Sequence, residues 1–120
     1  MAHAPDPAGG KRIFTYEEAL ASFPRVRQLT VGAVRQVDAL TMGVQSLEER
    51  EARQAEIEAA MAEIVRQWTQ RVTALGCEVK GLWLVDWDNG DGYYCWKYPE
   101  ESLIHYHGYD EGFAGRVAIQ

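Results

Sequence analysis

The sequence predicts an α+β fold: a long antiparallel helical hairpin, led by a short N-terminal helix, packed on a small three-stranded antiparallel β-meander. Three observations predict it. Apolar residues recur at steps of three and four from Phe23 to Leu75, the period of one helix face. Beyond Val79 the pattern changes to period two, and nine of the thirteen aromatic residues fall in 76–120. The charge changes at the same place. Residues 13–75 hold nine acidic and seven basic side chains, residues 76–120 eight acidic and three basic.

Residues 1–12, rich in Ala, Pro and Gly, read as a disordered tail ahead of one domain over 13–120, helical to residue 75 and β-rich from 76. Thr15 and Glu18 have the spacing of a capping box, with Phe14 placed to act as a hydrophobic staple. The short first helix is expected to stop before Pro24, since the residue preceding a proline is pushed out of the helical region. Pro24 then suits the first turn of the next helix. That helix carries Phe23, Val26, Thr30, Ala33, Val37, Leu40, Val44 and Leu47 at alternating steps of three and four, with Thr30 the one weak position.

A second series, Ile57, Met61, Ile64, Trp68, Val72 and Leu75, follows the polar stretch 48–56. Ser46 and Glu49 form another capping box, so the chain can turn there and return antiparallel. A single uninterrupted helix is the other reading, because no Gly or Pro lies between Gly43 and Gly76. The hairpin is preferred: a lone helix of that length buries its seam only against another chain. Gly76 suits the position just past a helix end.

In the second half, Val79 to Trp87 alternates as one strand. Asp88-Asn89-Gly90-Asp91-Gly92 is a turn, Tyr93 to Tyr98 the return strand, and Leu103 to His107 a third strand after the turn at Pro99.

The formal net charge of −6 argues against nucleic acid and anionic membrane as partners. No apolar run reaches the about 18 residues a membrane helix requires, and MAHAPDPAGGKR lacks the apolar core of a secretory signal. Two cysteines make no disulfide framework. A cytoplasmic location is expected.

Several side chains carry possible chemistry. His105 and His107, two apart on a strand, share a face. With Cys95, or with Asp110 or Glu111, they are candidate ligands for a divalent metal. Cys95 beside His107 has the residue types of a nucleophilic pair. Asp86, among leucine and tryptophan, is expected to be buried and paired with Arg116. Trp96, His107 and Arg116 are expected to gather around one hollow, fit for a small anion or a partner's carboxylate. The surplus of apolar surface on the helical seam or the aromatic strands predicts a homodimer. A non-enzymatic interaction module is therefore the expected role, with a metal-binding protein or small metal-dependent or Cys–His enzyme as its rival.

The segment IHYHGYDEGFAGR (104–116), with CWK at 95–97, LVDW at 84–87 and FTYEEAL at 14–20, resembles an uncharacterised bacterial family known as domain of unknown function 2203. The likeness runs from Phe14 to Ile119. The family's pattern falls here on Asp86, Cys95, Trp96, Tyr106, His107, Gly112, Phe113, Ala114, Gly115 and Arg116. Where the family usually has Trp before a single histidine, this chain has Tyr106, and His105 is additional. The resemblance implies a small soluble bacterial protein and adds no activity.

Overall fold

A computed structural model describes residues 12–119. The tail expected over 1–12 lies, but for Arg12, outside the described residues. The chain runs through helices α1 (Tyr16–Thr41), α2 (Leu47–Ala52) and α3 (Gln54–Ala74). Strands β1 (Glu78–Gly81), β2 (Leu84–Asp88), β3 (Gly92–Lys97) and β4 (His105–Gly108) follow. A 3₁₀ turn over Phe113–Gly115 leads into β5 (Val117–Ala118). The strands form one antiparallel sheet in the order β1-β2-β3-β4-β5, and the helices cover one of its faces. The fold is α+β, as the two periodicities predict.

The cap at Thr15 forms in full: its hydroxyl accepts from Glu18 N at 3.1 Å, and Glu18 Oε1 accepts from Thr15 N at 2.9 Å. Phe14 is buried, and its N–H donates to Asp88 O at 2.7 Å, which fixes the helix entry to the sheet. The expected stop before Pro24 does not occur, because Pro24 sits inside α1. A proline there forgoes one backbone bond. Ala19, Phe23 and Val26, on both sides of it, lie on one buried stripe, and that packing holds the helix through the break.

The chain turns back over residues 42–46, giving the hairpin. Ser46 caps α2 by accepting from Glu49 N at 3.1 Å. Gly76, at φ 96°, ends the helical half in the left-handed conformation that suits glycine.

The expected three strands are five. The stretch read as one strand from Val79 to Trp87 is a tight hairpin, with Gly81 opposite Leu84 and only Leu82 and Trp83 between. Trp83 takes φ 60°, a conformation rare for a bulky residue. Its indole packs edge-on against Trp68 at 4.8 Å, and this contact with α3 holds the turn. The fifth strand pairs Val117 with Tyr106 and Ala118 with His105.

The core lies between sheet and hairpin. Val85, Trp87 and Trp96 meet Phe23, Val26, Trp68 and Val72 there. Phe23 stands edge-on to Trp87 and Trp96 at 6.3 and 5.4 Å, and Trp87 Nε1 donates to Ser22 Oγ at 2.8 Å. Thr30, the weak seam position, is fully buried. Its hydroxyl accepts from Trp68 Nε1 at 2.9 Å and donates to Val26 O at 2.8 Å, so it joins the two long helices. Burial stops beyond the sheet: no residue from 34 to 67 is buried. The described residues extend 58 × 31 × 25 Å, with the distal hairpin projecting. No described helix is long and apolar enough to cross a membrane.

Candidate functional site

Strand alternation puts Val85, Trp87, Tyr94, Trp96 and Tyr106 toward the helices, and Asp86, Asp88, Tyr93, Cys95, His105 and His107 on the opposite face. Across that second face, Asp86 pairs in register with Cys95 and His107 with Tyr93. Asp86 of β2 and His107 of β4 meet over β3, with His107 Nε2 2.9 Å from Asp86 Oδ2. Ligand atoms of Asp86, Cys95 and His107 all lie within 4.8 Å of one another, and all three residues are buried. This is the one cluster of metal-ligand type among the described residues.

The hydrogen bonds decide where protons reside. His107 Nδ1 is 2.9 Å from Gly108 O, a carbonyl that only accepts, so Nδ1 carries a proton and donates. Nε2 then shares one further proton with Asp86. Burial raises the Asp86 pKa, against the hydrogen bond of Cys95, the charge and hydrogen bond of His107 and the charge of Lys80. Asp86 Oδ1 is buried without a conventional hydrogen-bond partner; the Cys95 thiol beside the carboxyl is only a weak donor. Burial, and then the Asp86 charge, push the Cys95 thiol up to about 12. Both nitrogens of His107 are engaged elsewhere, so Cys95 has no free imidazole to activate it.

The segment after β4 folds over the cluster. Tyr109 donates its hydroxyl to Asp88 Oδ1 at 2.6 Å and meets Tyr93 edge-on at 5.1 Å. That hydrogen bond raises the Tyr109 phenol to about 12. Glu111 Oε1 accepts from Gly108 N at 2.8 Å. Gly92 permits the close crossing of β3 and β4, since a Cβ there would lie 2.6 Å from His107 O and 3.1 Å from Gly108 Cα. A cavity of about 240 Å³ opens above the cluster, lined in part by Lys80, Tyr93, Tyr109, Glu111 and Phe113. Lys80 is held 3.2 Å from Glu78 and lies over the Tyr93 ring.

The structure redistributes the residues singled out in the sequence. Cys95 and His107 come together, and Asp86, expected as a partner of Arg116, joins them. Arg116 instead forms a two-pronged pair with Glu100, Nη2–Oε2 2.7 Å and Nη1–Oε1 3.0 Å, and stacks on Phe113 at 4.0 Å. Glu100, in the turn before β4, was not anticipated for this role; nothing in the linear sequence aligns that turn with the approach to β5. His105 turns toward Glu100, with Nδ1 3.9 Å from Oε2, and stands apart from the cluster, as does Glu111. Trp96 lies on the helix-facing side, its indole donating to Glu100 O at 2.7 Å, so the sheet separates it from His107. The hollow expected from Trp96, His107 and Arg116 does not form, because adjacent strand residues face opposite ways.

The sequence profile of a family described as "uncharacterized conserved protein (DUF2203)" matches residues 12–119. The chain belongs to that family. No curated protein and no solved structure matches it.

Proposed function

We propose that this DUF2203 chain is a non-enzymatic interaction module whose helical hairpin pairs with a second copy to form a four-helix bundle. One observation carries the reading. Val37, Leu40, Val44, Ile57, Met61 and Ile64 keep helix-face spacing along the projecting hairpin, yet none is buried. Two helices shield only one side of such a seam, whereas four shield all of it. Twofold symmetry lets each copy present the same stripe to the other. Beside it, a groove of about 230 Å³ runs between α1 and α3, lined by Arg25, Gln28, Gln67 and Arg71 as well as by Leu29, Gly32, Ile64 and Trp68. A Cβ at Gly32 would meet nothing within 4 Å, which leaves room for a side chain from a partner.

Each of these seam residues is already half-buried, so completing its burial is worth about 0.3–1 kcal/mol. Over six residues in each of two copies, that is comparable to the roughly 4–15 kcal/mol lost in association. Gel filtration of Leu40→Glu and Met61→Glu beside the unaltered chain tests the reading. The expected result is a smaller species for both variants with helical circular dichroism retained. Identical elution of all three at monomer size refutes it.

A further inference from the structure

We infer that Asp86, Cys95 and His107 form a binding site for a zinc-class divalent transition metal, with the fourth coordination position open to the cavity above them. The inference stands apart from the hairpin proposal and rests on the other side of the sheet. Three residues of metal-ligand type arise on three adjacent strands with their ligand atoms within 4.8 Å of one another. A tetrahedral zinc with bonds of about 2.0–2.3 Å separates its ligands by roughly 3.3–3.8 Å. The His107–Asp86 contact of 2.9 Å needs only a small opening to admit the ion.

The second observation is the carboxylate itself. Asp86 is 1% exposed, and its Oδ1 has no conventional partner. Buried polar atoms are almost always satisfied, so a buried carboxylate oxygen with nothing beyond the weak Cys95 thiol to satisfy it points to something that binds there.

The donor set selects the ion. One thiolate, one imidazole and one carboxylate suit zinc, cobalt or iron, and disfavour calcium and magnesium, which take oxygen ligands. On binding, the Cys95 thiol proton and the proton shared by Asp86 and His107 leave to solvent. Two S/O anions and one neutral imidazole then balance a dication, so the buried assembly is neutral. His107 Nδ1 keeps its bond to Gly108 O, the second-sphere contact that orients a ligating imidazole. Lys80 at the cavity rim is already matched by Glu78, and Arg116, whose Nη1 lies 4.0 Å from Cys95 Sγ, is matched by Glu100. Three protein ligands with an open fourth position is the pattern of sites that exchange a water or a small anion. The cavity of about 240 Å³ has room for either.

Cobalt titration of the untagged full chain, after removal of metals by chelator, tests the site. The expected result is one equivalent bound, with a near-ultraviolet thiolate-to-cobalt charge-transfer band, and a higher Tm on adding zinc. Cys95→Ser abolishes the band, and Asp86→Asn weakens cobalt binding about tenfold or more. Cys77 lies in the core on the helix side, so a band that survives Cys95→Ser locates the metal elsewhere and overturns the inference. So does the absence of a band in the unaltered chain, a result that does not depend on any variant folding.

Discussion

Replacing Thr30 with valine isolates one polar contact in an otherwise apolar seam. The hydroxyl is fully buried, accepts from Trp68 Nε1 at 2.9 Å and donates to Val26 O at 2.8 Å. Valine keeps the shape, and the Val26 carbonyl keeps its helical backbone bond. The Trp68 N–H, in a residue only 2% exposed, loses its acceptor. Leaving a buried donor unpaired costs about 1–3 kcal/mol, more than a methyl in place of a hydroxyl returns in apolar burial. In a chain of this size each kcal/mol corresponds to about 3–6 °C in Tm.

Urea unfolding at one fixed protein concentration measures the loss, with the slope expected to be unchanged. Trp68→Phe removes the donor instead, so Thr30→Val in that background is expected to cost about 1–2 kcal/mol less than in the parent. A Thr30→Val chain as stable as the parent, or the same cost in both backgrounds, would refute the reasoning.

Three further outcomes follow from the sheet. Burial holds the thiols of Cys77 and Cys95 up at about 12, so neither is expected to react with iodoacetamide at pH 8 until the chain unfolds, when both react; mass spectrometry reads the adducts, and rapid alkylation of native Cys95 contradicts the thiol's assigned state. Arg116→Ala is expected to destabilise by about 1–3 kcal/mol, because it strips two charge-assisted bonds from a half-buried Glu100 partner; unchanged unfolding in urea would deny that the pair pins the C-terminal segment. Burial tends to raise the Glu100 pKa, but the hydrogen bonds and charge of Arg116 and the backbone N–H of Lys97 outweigh it and the value falls below 4.5. The stability from this group is therefore complete above 4.5 and is lost as pH drops through the lowered folded value. The advantage of the parent over Glu100→Gln is expected to shrink in that acid window, and an advantage that grows there would contradict the sign.

Much of the helical half was legible in the residues, because its signals are local. Thr15 and Glu18 lie three apart, Ser46 opens the return, and Gly76 supplies the left-handed conformation the helix end requires. Pro24 misled because a steric rule about the residue before a proline was set against a packing stripe that only the tertiary fold reveals. The β half was less legible. Val79 to Trp87 reads as one strand since nothing in Gly81-Leu82-Trp83-Leu84 signals a turn except the glycine, and the positive φ of Trp83 is held by Trp68 from another element. Strand parity does assign Asp86, Cys95 and His107 to one face once the register is known, and equally assigns Trp96 to the other. The partner of Arg116 depends on which chain ends lie side by side, and that follows from a fifth strand the sequence pattern conceals.

The central claim is that the projecting hairpin is covered by a second copy. Sedimentation equilibrium of the untagged full chain tests it most directly. The account predicts a mass of twice 13.5 kDa, falling toward the monomer only on dilution. A single species of 13.5 kDa at every concentration would contradict it.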